Sequence, residues 1–370
     1  MKKLKFGIIG VGVMGPSHLK SMKDCKFAEP AAVCDIDKAR ADLIGGENGL
    51  PVFYDAEDLY ASQSVDAVLI VTPHYAHTPL AIRAFENGLH VMSDKPAAAH
   101  KRDAEKMLAA QKAAPGLKYG VMYQLRTMEI YQKVKQLISS GELGKLQRFS
   151  WAATHWLRTQ KYYDNGTWRA TWKGEGGGVL LNQCPHQLDL LQWFFGMPKM
   201  IKAFGACGKY HNIEVEDDVS AYMEFKNGLN GMFIASTGEF PGTDRIEIHG
   251  DRGRLVLEDG KLTFKRTEIP VSEFIKNSDG HFGVPACWNI DIPIKDNSLS
   301  ATKVIDAFAS EALGEGKMLV SGEEGINQVE LTNAIIYSIV KGTEIKLPLD
   351  GVEYEKILLD LITESEKRPK

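Results

Sequence analysis

The chain has 370 residues, 44% of them hydrophobic and 25% charged, with a formal net charge of −4. This is the balance of an ordinary globular protein with buried cores, and the length suits two domains at roughly 150 residues each. The absence of a basic excess argues against a nucleic-acid partner, and no apolar run approaches the ~18 residues of a membrane span.

Lys2, Lys3 and Lys5 ahead of an apolar stretch imitate a signal peptide. Gly7, Gly10, Gly12 and Gly15 interrupt that stretch and no A-x-A site follows, so it reads as a first strand. The cysteines, Cys25, Cys34, Cys184, Cys207 and Cys287, are odd in number and form no C-x-x-C pair, which speaks against a zinc knuckle or a disulfide framework. The expectation is a cytoplasmic chain with reduced thiols and no bound metal.

Over the first ~120 residues, apolar runs alternate with helix-period segments, the pattern of parallel βαβ units. Strands are predicted at 4–9, 31–34, 67–71, 89–92 and 119–123, and helices at 15–23, 38–44, 77–87 and 99–113. The run Ala67–Val71 is apolar throughout, as suits a sheet covered on both faces, and Gly88 is placed to cap the helix before it. The texture then changes. A helix at 129–139 closes at Gly141, and strands are predicted at 146–154, 201–209, 218–225, 229–236, 245–250, 254–258 and 262–266. Their period-2 alternation between Gly, Asn and Asp turns predicts a mostly antiparallel sheet with one face covered. Helices follow at 302–313, 322–339 and 354–365. The fold class is α/β, with domains expected over 1–123 and 124–370. No Pro/Ser-rich linker separates them, so a substantial interface is expected.

Residues 10–15 read Gly-Val-Gly-Val-Met-Gly, a G-x-G-x-x-G between a predicted strand and a predicted helix. Gly10 permits the tight turn, Gly12 leaves room for a pyrophosphate and Gly15 lets helix and strand pack closely. The unpaired N–H groups of the helix start, with Val13 and Met14 in the loop, face the phosphates. Asp35 lies about 20 residues further on, where a carboxylate accepts hydrogen bonds from the ribose hydroxyls. A carboxylate repels a 2′-phosphate, so NAD is expected over NADP; Lys38 and Arg40 stand close enough to weaken that preference.

Ser93-Asp94-Lys95-Pro96 follows another strand of the same domain, and such strand ends face the ligand crevice. A lysine beside a cationic nicotinamide in a partly dehydrated cleft loses some preference for its charged form, which suits a proton partner near neutral pH. Taken alone, a lysine before proline is more often a solvated loop cation. Residues 176–189 read Gly-Gly-Gly-Val-Leu-Leu-Asn-Gln-Cys-Pro-His-Gln-Leu-Asp. Pro185 suits a first helical turn. His186 and Asp189 are three apart on one helical face, so the carboxylate is expected to orient the imidazole and favour its protonated form. A lone histidine at a helix start is more often structural. The glycine triplet lacks the Lys-Ser or Lys-Thr of a P-loop.

In this order, Gly10–Gly15, Ala67–Pro73 with His77, Asp94-Lys95-Pro96 and Gly176–Asp189, the chain resembles the glucose–fructose oxidoreductase/inositol dehydrogenase (Gfo/Idh/MocA) family over nearly its whole length. The resemblance implies an N-terminal Rossmann domain and a C-terminal α/β domain with a large open, mostly antiparallel sheet. It implies a catalytic lysine in a Glu-Lys-Pro motif, which maps to Lys95, and a catalytic histidine in an Asp-x-x-x-His motif, which maps to His186. It places Thr72 and Pro73 near the nicotinamide, and His77 near the cofactor phosphates or ribose, with Asp94 among the cofactor residues. It also implies a homodimer or homotetramer formed through the sheet. Two positions depart from the family pattern. The motif glutamate is Asp94, and the motif aspartate is Asn182, an amide that can orient a hydroxyl or a ring but can neither take a proton nor carry charge.

Residues 151–175 hold Trp151, His155, Trp156, Tyr162, Tyr163, Trp168 and Trp172, interleaved with Arg158, Arg169, Lys173 and Glu175. Aromatic faces cover the C–H surfaces of a sugar while charged and amide groups bind its hydroxyls; core packing is the other use of such a cluster. The substrate set expected from these patterns is Tyr123, Arg126, His155, Trp156, Arg158, Tyr163, Trp168, Asn182 and His186. The reading is an NAD-dependent dehydrogenase acting on a ring hydroxyl of a sugar, inositol or glycoside. Redox-neutral glycoside cleavage by oxidation and elimination stays open beside it, as does a non-catalytic NAD-binding regulator.

Overall fold

The computed structural model describes residues 2–165 and 168–367. Its first sheet comprises β1 (Leu4–Ile9), β2 (Ala28–Cys34), β3 (Val52–Phe53), β4 (Ala67–Ile70), β5 (His90–Ser93) and β6 (Tyr119–Val121). The connecting helices are α1 (Gly15–Lys23), α2 (Lys38–Asn48), α3 (Ala56–Ala61), α4 (His74–Glu86) and α5 (Lys101–Ala113). The strands lie in the order β3-β2-β1-β4-β5-β6 and every pair is parallel. The order reverses direction between β1 and β4, which opens a crevice beyond the carboxyl ends of those strands.

All four residues of β4 are buried, as its unbroken apolar run requires. The second strand starts at Ala28, three residues before the predicted Ala31, and so runs through Pro30. Pro30 has no N–H to donate, and the β1–β2 register shifts beside it, between Phe6 and Gly7, the kind of irregularity at which a strand tolerates proline. Helix α4 starts at His74 rather than at His77, with Pro73 as its N-cap.

A 3₁₀ turn (Gln124–Thr127) and α6 (Glu129–Ser139) lead to β7 (Leu146–Ala153), α7 (Gln160–Asp164), α8 (Val179–Asn182) and α9 (Pro185–Phe195). Then come β8 (Met200–Cys207), β9 (Glu216–Glu224), β10 (Asn230–Ser236), β11 (Asp244–Gly250), β12 (Gly253–Glu258), β13 (Lys261–Thr267), α10 (Val271–Asn277) and β14 (Cys287–Ile292). The chain ends in α11 (Ala301–Ala312), α12 (Gly322–Lys341), β15 (Ile345–Lys346) and α13 (Gly351–Glu366). The nine strands form one sheet, β14-β13-β12-β11-β7-β10-β9-β8-β15, antiparallel except for β7 beside β10. Along β9, Val219, Ala221 and Met223 point into the core with Leu188, Leu191, Ile335 and Ile336 of α9 and α12. Ser220, Tyr222 and Glu224 point the other way.

Helix α11 leaves this second core. Val304, Ile305, Phe308 and Ala309 pack with Phe6, Leu19 and Met22 of the first sheet and α1, with the Phe6 and Phe308 rings 5.9 Å apart. Burying one such side chain contributes about 1.5–3 kcal/mol. The chain thus returns to its N-terminal sheet after building the second one. No pattern along the sequence marked that return, because an amphipathic helix does not encode which apolar surface it will meet.

Candidate active site

The glycine loop lies at the end of β1. Gly10 has φ +94°, and a Cβ there would stand 2.6 Å from the Val71 carbonyl oxygen. A Cβ on Gly15 would stand 2.6 Å from the Gly10 carbonyl oxygen, so this glycine is needed for close helix–strand packing. Gly12 differs. The nearest atom to its missing Cβ is an Arg40 guanidinium nitrogen 4.0 Å away, so it leaves open space. Val13 and Met14 are exposed, and Met14 caps α1 without a side-chain hydrogen bond. The orphan N–H groups of the helix start are therefore open to an anion. These features fit a dinucleotide pyrophosphate.

Asp35 follows β2 and is buried beneath this loop. Its Oδ2 accepts from the Val11 N–H at 2.9 Å and its Oδ1 from the Asp37 N–H at 2.9 Å. The Arg40 guanidinium lies 3.4 Å from the same carboxylate, the counterweight expected from the sequence. Thr72 stands across the crevice: its methyl would be 3.1 Å from a Cβ on Gly10, and its Oγ1 is buried with no partner. Pro73 is exposed beside it.

His77 takes a different place from the one the resemblance implies. It is fully buried, with Nδ1 2.9 Å from the Pro96 carbonyl and Nε2 2.8 Å from the Thr72 carbonyl. Both nitrogens are enclosed by carbonyl oxygens, and the neutral ring donates to one of them as it wedges the 72–73 turn against the 94–96 turn, so neither nitrogen is open to a cofactor. Asp94 is likewise engaged: Oδ2 lies 3.2 Å from His18 Nε2 and Oδ1 accepts from the Lys95 N–H at 2.7 Å. Burial works to raise its pKa, but the contact with His18 and the neighbouring Lys95 outweigh it and hold the carboxyl below the usual range. His18, on α1, was not anticipated, since nothing local to Gly15–Lys23 signals a partner 76 residues away.

Lys95 reaches across to the end of α8, where its Nζ donates to the Asn182 main-chain carbonyl at 2.9 Å. Burial pushes its pKa down, opposed by the carboxylates of Asp94 and Glu175. Lys95 and residue 182 do come together, but through the backbone of Asn182. Its side chain points elsewhere. Oδ1 accepts from the Tyr162 hydroxyl at 3.3 Å and from the Gln183 amide at 3.0 Å, and Nδ2 donates to Glu175.

The glycine triplet holds this segment by packing. A Cβ on Gly178 would lie 2.1 Å from the Glu216 carbonyl oxygen, and one on Gly177 3.1 Å from Ile336. The buried Glu216 carboxylate accepts from the Gly178 and Leu180 N–H groups at 2.8 and 3.1 Å, which satisfies the start of the four-residue α8. Burial pushes Glu216 up to about 7.

His186 begins α9, with its ring edge-on to Tyr123 at 5.9 Å and its Nδ1 enclosed without a partner. Burial, and then the Lys95 ammonium, push its pKa down to about 3, which leaves a neutral imidazole at neutral pH. The expected help from Asp189 is not there. Asp189 is fully buried in a bidentate pair with Arg126, at 2.8 and 2.7 Å, and also accepts from Gln192 at 3.1 Å. Spacing put Asp189 on one helix with His186, but its carboxylate is claimed by a guanidinium from another element, the stronger match inside a low-dielectric core.

That pairing also corrects Arg126, which is buried between Asp189 and Glu324 rather than facing substrate. Tyr123 is buried with its hydroxyl on Gln328 at 2.6 Å, where it supports the His186 ring instead of touching substrate. Tyr163 is buried with its hydroxyl on Thr237 at 3.1 Å and its ring against His211. Trp151 and Trp172 belong to the core as well. The rest of the aromatic cluster stays near the surface. Arg158 lies over Trp156 and Tyr162, Arg169 lies over Tyr162 and Trp168, and the ring of exposed His155 lies tilted against Trp156 with centroids 4.1 Å apart. Tyr162, Glu175 and Gln183, absent from the predicted site, bind Asn182 here. The position of Glu175 immediately before the triplet was the available signal.

Among the described residues, His100, Asp103 and Glu355 bring ligand atoms within 4.8 Å of one another. Lys106 and Arg102 already pair with those carboxylates. No helix among the described residues is long and apolar enough to cross a membrane.

A parallel sheet with its glycine loop at the topological switch point, with a lysine from the end of β5 and a neutral histidine from α9 beside the crevice, defines a Rossmann-type dinucleotide oxidoreductase. Residues 4–123 match the model of the oxidoreductase family with an NAD-binding Rossmann fold, and residues 131–256 match the GFO/IDH/MocA C-terminal domain. The chain belongs to the Gfo/Idh/MocA family of NAD-binding oxidoreductases. It is 24% identical over 364 residues to an inositol 2-dehydrogenase of Rhizobium meliloti, covering 93% of this chain and 99% of the relative. It is 29% identical over 210 residues to a 2,7-anhydro-N-acetylneuraminate hydratase of Mediterraneibacter gnavus, covering 55% of this chain and 53% of the relative. Among solved structures, the WlbA dehydrogenase of Chromobacterium violaceum, in complex with NADH and UDP-GlcNAcA, superimposes with a TM-score of 0.82 at 27% identity, covering 95% of this chain and 97% of the other.

Proposed function

We propose that this protein is an NAD-dependent dehydrogenase of a ring hydroxyl in a sugar, inositol or glycoside, and that His186 and Lys95 handle the proton. The observation that carries this is the convergence of a half-buried lysine and a neutral, half-buried histidine at the mouth of the parallel sheet. The bound nicotinamide supplies the hydride acceptor. His186 removes the hydroxyl proton; because Nδ1 is enclosed, Nε2 is the nitrogen left to meet a ligand. Lys95 donates a hydrogen bond to the same oxygen and stabilises the developing alkoxide. Trp156, Trp168, His155, Arg158 and Arg169 offer faces and donors to the rest of the substrate. Asp35 favours NAD over NADP. An absorbance screen for NADH across inositols, aldoses and aryl glycosides tests the reading. No reduction by any of them, in protein shown to bind NAD, would remove it.

The hydratase relative favours a second reading on the same residues. Oxidation of one sugar carbon acidifies its neighbour, a leaving group departs, and the hydride returns. Release of the leaving group without build-up of NADH marks that outcome. For assembly, we place a homodimer or homotetramer contact on the open face of the nine-stranded sheet, where Phe204 is exposed in line with Ser220 and Ile234. Light scattering on wild type and Phe204→Lys tests it; an unchanged mass would move the contact elsewhere.

A further inference from the structure

The turn leading into the glycine triplet is tightly built. Ala170 has φ +54° and Gly176 φ +84°, and a Cβ on Gly174 would lie 2.3 Å from the Trp168 carbonyl oxygen. The N–H groups of Glu175 and Gly176 both donate to the Thr171 carbonyl. This path carries the Glu175 side chain inward, where it is only 2% exposed. Its Oε2 accepts from the Ala170 N–H at 2.7 Å and its Oε1 from the Asn182 amide. Burial pushes the Glu175 carboxyl up, opposed by the Ala170 N–H, the Asn182 amide, Arg169 and Lys95; both oxygens act as acceptors, the arrangement of an ionised carboxylate. Asn182 is thus held by its side chain on Glu175, Tyr162 and Gln183, while its main-chain carbonyl holds Lys95.

A half-buried ammonium is stabilised by a nearby counter-charge. The groups around Lys95 are the Asp94 and Glu175 carboxylates, the Arg169 guanidinium, the Cys184 thiol and the His74 and His186 rings. Asp94 is already engaged by His18 and by the backbone. Position 182, where the family motif carries an aspartate, is neutral. Glu175 is the carboxylate left on the substrate side.

We propose that Glu175 is a positioning residue that supplies, one hydrogen bond away, the negative charge missing at Asn182, and so sets the position and charge of Lys95. The amide and the carboxylate have exchanged ends of one contact. This rests on the placement of Lys95 beside the nicotinamide, and the experiment separates the two claims.

The nicotinamide of NAD⁺ is cationic and that of NADH is neutral. A charged Lys95 therefore weakens NAD⁺ relative to NADH, and the ratio of their Kd values falls as Lys95 loses its proton. Groups that act equally on both cofactors cancel. The ratio is measured against pH in the full-length protein, with Lys95→Met as the control that removes the midpoint. Glu175→Gln lowers the midpoint by about one pH unit, the least expected from losing an opposite charge at this range, and lowers kcat with any working substrate. Glu175→Gln combined with Asn182→Asp returns the charge to the other end of the same contact, and restores both midpoint and rate. A wild-type ratio that does not change with pH overturns the placement of Lys95 and this proposal with it. A midpoint that is present but unmoved by Glu175→Gln overturns only the role of Glu175, as does failure of the exchange to rescue. If Glu175→Gln alone does not fold, the exchange variant decides. A folded protein with the wild-type midpoint supports the proposal, and an unfolded one or a lowered midpoint overturns it.

Discussion

The glycine loop and the proton-handling pocket meet at one crevice but are built differently. In the loop, each residue acts through its own backbone: Gly10 by its φ, Gly15 by close packing and Gly12 by empty space. In the pocket, side chains act through partners on other turns or elements: Lys95 on Asn182, Asn182 on Glu175 in the turn before it, and Asp189 on Arg126 rather than on its helix neighbour His186. The loop is a local solution to binding an anion. The pocket is a set of side-chain contacts made only once separate segments have packed, with Lys95 to Asn182 joining the end of the parallel sheet to α8.

The sharpest way to break this comparison is Lys95→Met. Turnover should fall by about 10²–10⁴-fold while NAD binding changes only a few-fold, the range of a lost proton-transfer group. Retention of more than about a tenth of kcat, a loss under ~1.4 kcal/mol, would remove Lys95 from the chemistry. The next effect is on stability. Asp189→Asn leaves Glu324 as the remaining carboxylate on the buried Arg126 guanidinium and should cost about 3 kcal/mol in denaturant unfolding, the low end for breaking a buried pair. The same variant should leave the acid limb of kcat/KM where it is, because Asp189 does not touch His186. With His186 pushed down to about 3, the ring accepts a proton at any pH above that, so the wild-type limb should lie well below 6.5 and vanish in His186→Ala. A limb at or above 6.5 that moves with Asp189→Asn would restore the helix-neighbour pairing.

Within the loop, the glycines should separate. Gly15→Ala drives a Cβ into the Gly10 carbonyl and should destabilise the fold by about 1–3 kcal/mol. Gly12→Ala enters open space and should leave Tm unchanged while weakening NAD. Equal thermal shifts in both variants would mean that Gly12 serves packing rather than the ligand. The smallest effect is expected at Asp35. Asp35→Ser should weaken NAD by about tenfold, the lower end for a hydrogen bond to a charged group, with less effect on NADP. An unchanged ratio of the two Kd values would take Asp35 out of cofactor choice.

Much of the first domain was legible in the sequence because strands and helices there declare themselves by period, and the glycine motif by local backbone need. The nine-stranded sheet was legible in outline. Its edges were not: β14 and β15 are short or exposed and carry little alternation. His77 shows the limit in a single residue. Its place after Pro73 identified the segment, yet only the packing of α4 under the Lys95 turn turned its ring into a brace between two carbonyls.

The sequence alone determined the alternation of the main strands and helices around the parallel sheet, strands β7 to β13, the glycine loop, the acidic residue after β2, and the motifs that hold Lys95 and His186. These follow from conformational preferences that extend over a few neighbouring residues. The tertiary structure decided the partners: His18 for Asp94, Arg126 for Asp189, Glu175 for Asn182, and the Rossmann sheet for α11. A buried charge takes whichever counter-group best satisfies its hydrogen bonds where water is excluded, and that group is set by which surfaces meet, not by spacing along the chain.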